Sequence, residues 1–342
     1  IELFKQLTLM LLQEAPAALQ SVGVEALLID QTSFGGATVA QFLDLPFISV
    51  CCALMLNQDP NVPPINTSWK YHSAQWARLR NQLGHELMNR IARPITEPIA
   101  AYRQRWNLPA YTHADDAYSH LAQLCQQPAE FEFPRQHLPA CFHFTGPYSN
   151  PASREPAFFP YEQLTGQPLI YASLGTVQNQ LLGTFQVIAE ACQEQDAQLV
   201  IALGGGSSPE SLPALPGSPL VVEYAPQLEL LQRTTLTITH AGMNTTLESL
   251  SNGVPMVAIP IANDQPGVAA RIAWTGTGEL VTLKDLSVSK LRSAIQRVLS
   301  EGTYKANALR LQAAIQQAGG AKRAADITEQ VVATGKPVTN YC

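Results

Sequence analysis

The chain has 342 residues, 46% of them hydrophobic and 14% charged, with a formal net charge of −6. That much apolar material excludes a disordered chain and suits two domains of about 150 residues each. The acidic balance lacks the basic face that a nucleic-acid partner requires, and no run of Lys and Arg marks an anionic membrane surface.

The chain opens at Ile1 on an apolar, helix-like stretch with no visible signal peptide, and further residues are expected upstream. VEALLID (24–30) is a short apolar run of the kind buried on both faces of a parallel sheet. TSFGGATVAQFLDL (32–45) reads as a helix from about Ser33, broken by Pro46 before the strand PFISV. The longest apolar stretch, Phe47 to Leu56, is too short to span a bilayer. A long helical region from about Trp69 to Trp106 carries aromatics that are most simply core packing, and CFHF (141–144) is another strand.

Residues 145–168 are rich in Pro, Gly, Ser and Asn and read as a linker. Beyond them strands and helices alternate: PLIYASLG, FQVIAEACQ, QLVIALGG, PLVVEY, PQLELLQ, LTITH, MNTTLESLS, VPMVAIP, and a helix from about Gln265. Such alternation implies an α/β protein with parallel sheets wound on both faces, here two doubly wound domains facing a cleft. Residues 1–150 form the first domain, 151–168 the linker and 169–342 the second, with the last helix expected to return to the first. The six cysteines include no CxxC pair, so a reducing cytoplasm is expected and a zinc site or disulfide framework is not.

Chemistry concentrates in LTITHAGMNTTLESL (236–250). A strand ends at His240, and a helix begins near Asn244, whose N-terminus is a ready anion site. Gly242 lets a phosphate approach the backbone, and His240 can donate to it. The alternative is that Asn244 or Thr245 caps the helix and His240 is a loop histidine. Glu248, one turn further on, suits the two hydroxyls of a ribose, or is a solvated helix residue. Asp264 and Gln265 follow the next strand and suit hydroxyl recognition, with Asp264 also a good N-cap. Asp30 ends a strand before Thr32-Ser33, where a turn acid is equally at home. LGGGSS (203–208) reads as a flexible turn, and His113 with Asp115 and Asp116 as a solvated segment. No DxD follows a strand, so no metal is expected.

The run THAGMNTTLESLSNGVPMVAIPIANDQPGVAAR resembles the donor-binding signature of the UDP-glycosyltransferase superfamily, of GT-B fold. EYAPQLELL and YASLGT are similar to its uracil-binding segment and first phosphate-side turn. The resemblance implies that Tyr224 and Gln227 lie at the uracil or ribose, and His240, Gly242, Asn244 and Thr245 at the diphosphate. It places Glu248 at the ribose, Asp264 and Gln265 at the hexose, and Thr176 near the phosphates and sugar. Within the superfamily, LPFISVCCALMLNQDPNVP, EFEFPRQHLPACFHFTGP, YASLGTVQ and LTITHAGMNT look most like bacterial carotenoid glucosyltransferases. LLIDQ resembles the strand end whose aspartate orients the catalytic histidine, which implies that role for Asp30. In the family that histidine precedes this strand, and no histidine precedes Asp30 here. The implied activity is inverting and metal-independent transfer of a hexose, expected to be glucose. It moves from a UDP-sugar co-substrate, with no cofactor, to a hydroxyl of an apolar acceptor, a carotenoid such as zeaxanthin. A macrolide, flavonoid or sterol acceptor, a non-catalytic partner protein and a GT-B epimerase are the other readings. A cytoplasmic protein in peripheral contact with a membrane is expected.

Overall fold

The computed structural model describes residues 1–149, 154, 157–176, 181–205 and 207–340. Most of the stretch 150–156, which opens the expected linker, and residues 177–180 lie outside them.

The first half is a four-stranded parallel sheet in the order β1-β2-β3-β4, formed by Leu27–Asp30, Phe47–Cys51, Gln123–Cys125 and Phe142–Phe144. Helices α1 (Glu2–Val22), α2 (Gly36–Phe42) and α3 (Gln75–Arg105) accompany it. α2 starts three residues later than the sequence suggests, because Ser33 N–H bonds back to Asp30 and Gly36 N–H to Ser33, closing turns before the helix. β3 escaped the sequence reading. Three residues carry no period, and all three are buried.

The second half is a six-stranded parallel sheet in the order β10-β9-β8-β5-β6-β7. Its strands are β5 (Leu169–Ser173), β6 (Gln198–Ala202), β7 (Leu220–Val222), β8 (Thr234–Thr239), β9 (Met256–Ala258) and β10 (Gly278–Leu280). Helices α4 (Leu182–Cys192), α5 (Gln227–Leu231), α6 (Met243–Ser251), α7 (Gln265–Trp274), α8 (Val288–Ser300), α9 (Gly302–Ala318) and α10 (Gly320–Thr334) connect and follow them. Ile170, Ala172, Ile201, Leu236, Ile238 and Val257 are all buried in one cluster, as expected of strands covered on both faces. This strand order reverses between β5 and β8, and in open α/β sheets ligands bind outside the carboxyl ends of the strands at that point.

The two halves meet carboxyl edge to carboxyl edge. Gln126, after β3, donates to Asn244 Oδ1 at 3.3 Å, and Leu54 N–H donates to Asp264 at 3.0 Å. Glu132 is fully buried between Arg271 of α7 and Arg135. Burial alone would raise its carboxyl, but the two guanidiniums outweigh that and hold it below its ordinary value. At the far end, Ile327 and Val331 of α10 join Ile48, Ala122 and Leu124 in one cluster on the first sheet. His143 bonds Asn340 at 2.8 Å and the Val338 carbonyl at 3.0 Å.

Candidate active site

The site is built at the strand-order reversal. β8 ends at Thr239, and Ala241 then takes a left-handed turn with φ 63°. Gly242 becomes the N-cap of α6 and, having no side chain, leaves the first turn without a side-chain cap. Neither Asn244 nor Thr245 caps the helix, so its leading N–H groups point out of the turn as free donors.

His240 is wedged between two glycines. A Cβ on Gly242 would lie 2.4 Å from its Nε2, and a Cβ on Gly175, the turn after β5, 2.6 Å. Gly175 also has φ +82°, which a residue with a side chain resists. Burial lowers the imidazole to about 4, with the nearby Ser173 backbone offsetting this only in part. His240 is therefore neutral at physiological pH and offers one N–H. Its Nδ1 is buried and has no hydrogen-bond partner among the described residues. A buried nitrogen left open beside a helix N-terminus is the kind of group a bound anion or water completes.

One turn along α6, Glu248 is 3% exposed, not the solvated helix residue its position also allowed. Gln227, the first residue of α5, donates to Glu248 Oε2 at 2.5 Å and approaches Thr245 Oγ1 at 3.4 Å. Tyr171, from β5, donates to Gln227 Oε1 at 3.0 Å. Arg154 pairs with the other Glu248 oxygen. Sequence reasoning missed Tyr171 and Arg154: one sits inside an ordinary apolar strand and the other in the Pro-rich linker, where nothing in spacing marks a contact. It also missed the purpose of the glycines after β6. A Cβ on Gly205 would fall 1.8 Å from the Tyr224 hydroxyl, so the turn makes room for that ring, which is 52% exposed.

The hexose candidates divide. Asp264 stands at the N-cap of α7 without a capping bond, and its carboxylate instead accepts from Leu54 across the cleft. Burial raises its pKa. Gln265 turns its oxygen to the Ile261 and Ala262 N–H groups at 2.8 and 2.9 Å, so its amide oxygen is engaged by its own loop. Thr176 is exposed beyond Gly175, on the same edge as His240.

Asp30 lies across the cleft at the end of β1. One carboxylate oxygen accepts from Thr32 N–H at 2.8 Å and from the Thr32 hydroxyl, and the other faces Cys52 N–H at 3.4 Å. Local desolvation, with the hydrogen bond to Asp30, pushes the Cys52 thiol up to about 12, so it stays an S–H donor. His113 with Asp115 and Asp116 forms a capping box on a single 3-10 turn, which explains that cluster structurally. Among the described residues no group of three or more His, Cys, Asp or Glu is arranged to hold a metal, and the described cysteines are all free thiols. No described helix is long and apolar enough to cross a membrane. Cavities of about 330 Å³ beside Arg103 and about 460 Å³ beside Arg297 are lined by none of the site residues above.

Two Rossmann-like halves meeting at such a switch point have the GT-B glycosyltransferase architecture. The solved glycotransferase of kitacinnamycin shares it at a TM-score of 0.74, with 22% identity, 94% of this chain and 80% of that one covered. The chain belongs to the UDP-glucoronosyl and UDP-glucosyl transferase family, whose model matches residues 8–317. Members of that family are enzymes that use UDP-sugar donors, and this protein is one of these glycosyltransferases. It is 37% identical over 331 residues to a zeaxanthin glucosyltransferase of Pantoea ananas, covering 96% of this chain and 77% of the relative. A zeaxanthin glucosyltransferase of Pseudescherichia vulneris is 34% identical, covering 99% of this chain and 81% of the relative.

Proposed function

We propose that the protein is an inverting, metal-independent glucosyltransferase that moves glucose from UDP-glucose to a hydroxyl of a carotenoid such as zeaxanthin. Residues 1–150 would receive the acceptor, and 169–342 would hold the donor, in a cytoplasmic protein that meets its acceptor at a membrane. The observation that carries this reading is the turn at the β5–β8 reversal, with His240 held between Gly175 and Gly242 at an uncapped helix start.

On this reading the diphosphate lies against the leading N–H groups of α6 and the His240 N–H, with Gly242, Asn244, Thr245 and Thr176 around it. Glu248 accepts both ribose hydroxyls, Gln227 and Tyr224 border the uracil, and Asp264 and Gln265 hold the hexose. An imidazole base, not visible in this chain, would be fixed in its useful tautomer by Asp30 and would take the acceptor proton as the hydroxyl oxygen attacks the anomeric carbon. The bond from that carbon to the β-phosphate breaks, and the charge gathering on UDP meets preorganised donors. The helix dipole and the neutral His240 N–H are aimed at the place where that charge would gather, which supports metal independence.

The test is to incubate the enzyme with UDP-glucose and detergent-dispersed zeaxanthin, with and without a chelator, and to read the product by NMR. The expected product is a β-glucoside formed at the same rate in both. An α-linked product would refute inversion, turnover abolished by the chelator would refute metal independence, and glucosylation of an added flavonoid or sterol but not of zeaxanthin would refute the acceptor.

A further inference from the structure

Helix α3 turns one side to the protein through Ala77, Asn81, Gly84, Ile95, Ile99 and Arg103. Beside that buried side runs a second apolar stripe that the described residues leave uncovered. Trp76, Leu79, Leu83, Leu87 and Ile91 recur every three or four residues and are 57, 58, 63, 54 and 44% exposed. That spacing aligns them on one ridge about 22 Å long. The expectation that the aromatics between Trp69 and Trp106 are core packing thus fails at Trp76, on α3, and at Trp69, which precedes it and is 37% exposed. Scattered surface leucines are ordinary, but a continuous ridge of this kind marks an interaction surface.

Charge identifies the partner. The segment from Trp69 to Arg93 holds Lys70, Arg78, Arg80, Arg90 and Arg93 against the single acid Glu86, in a chain with 21 basic and 27 acidic side chains. Lys70 precedes the helix and Arg78 and Arg93 sit away from the ridge, whereas Arg80 and Arg90 fall on its side of α3, so the cations that accompany the ridge are these two. Arg80 lies over both Trp69 and Trp76, at 4.8 and 5.3 Å from the ring centroids, which holds two exposed indoles around one guanidinium. A second copy of the chain is a poor occupant. A two-fold interface would set this ridge on itself and bring the same cations face to face. A negatively charged lipid surface suits every part: apolar side chains enter the acyl boundary, indoles sit at headgroup level, and arginines meet phosphates.

We propose that the α3 ridge is the surface by which this protein docks on an anionic lipid bilayer. The inference rests on the apolar-acceptor reading only for its purpose; the helix argues it independently. The segment leading into α3 also closes against the second half. Leu54 bonds Asp264, the Ile65 carbonyl lies where a Cβ on Gly267 would stand, and Tyr71 meets Trp274 edge-on at 6.0 Å. Docking through α3 therefore brings one edge of the cleft to the lipid.

The experiment is co-sedimentation of the protein with carotenoid-free vesicles of phosphatidylcholine, with and without phosphatidylglycerol. Binding is expected with phosphatidylglycerol, weakened by high salt, and reduced about tenfold or more in Leu83→Glu/Leu87→Glu, whose UDP affinity stays unchanged. In the unaltered protein, brominated acyl chains should quench tryptophan fluorescence, a readout that holds should the variant fold poorly. The proposal is overturned by absent sedimentation and quenching, by a folded variant that binds vesicles as before, or by a protein that sediments as a dimer which the variant dissolves. Absence of vesicle binding alongside normal transfer to detergent-dispersed zeaxanthin would sink the docking surface alone and leave the acceptor reading standing.

Discussion

Two turns face each other across the cleft, each at the carboxyl end of a parallel strand, and they are built in opposite ways. After β8 the chain exposes donors: Gly242 gives α6 no cap, and His240 is a neutral imidazole with a nitrogen left open. After β1 the chain supplies an acceptor, Asp30, already met by Thr32 and Cys52. The first turn is short of a negative partner and the second is a fixed carboxylate. An incoming diphosphate suits only the first, and a group that must become cationic during reaction suits only the second. On the proposed function, the same position in two similar folds would serve binding in one and proton handling in the other.

The sharpest way to separate the turns is Asp30→Asn. In the full-length protein, transfer should fall by about four orders of magnitude, as when a triad histidine loses its carboxylate, while UDP affinity is untouched because the proposed donor site is on the other half. A wild-type rate would leave Asp30 as a turn residue and erase the contrast. Gly242→Ala attacks the opposite turn. Its methyl would need the space of the His240 ring, so UDP should bind roughly 10–100-fold more weakly by calorimetry. Unchanged affinity would mean that the diphosphate does not use this turn.

A smaller effect follows from the His240 pKa. Its folded value of about 4 lies below the ordinary 6.5, so the unfolded chain binds more protons between those values. The stability this adds is complete above about pH 6.5 and declines by about 2–3 kcal/mol as pH falls towards 4. Chemical denaturation at pH 7 and pH 5 should therefore show a smaller acid loss in His240→Asn than in the natural protein. An equal loss in both would show that the imidazole is not kept neutral by burial.

The two halves also differ in how far the sequence disclosed them. In the second half five of the six strands are short apolar runs followed by a turn and a helix, so their alternation could be read. The three-residue β10 escaped the reading as β3 did, and the motif from His240 to Gln265 was read with the help of the family resemblance. In the first half β3 is three residues long, and the exposed ridge of α3 shares its residue types with a buried face, so periodicity alone could not tell them apart. The side chains around Glu248 show a similar limit. Gln227 was legible because it follows a strand in a recognisable segment, whereas Tyr171 and Arg154 reach the carboxylate only through the fold. Gly205 shows that a glycine run without a phosphate motif still has a steric purpose, clearing space for the Tyr224 ring.

The central claim is that the donor's nucleotide is held at the β5–β8 reversal with its ribose on Glu248. Titration calorimetry of UDP into the natural protein and into Glu248→Ala tests it most directly. The account predicts binding weakened by about 1–3 kcal/mol in a variant that keeps its native circular dichroism, since a buried carboxylate would no longer accept the ribose hydroxyls. Equal UDP affinity in the folded variant would contradict it and move the ribose elsewhere.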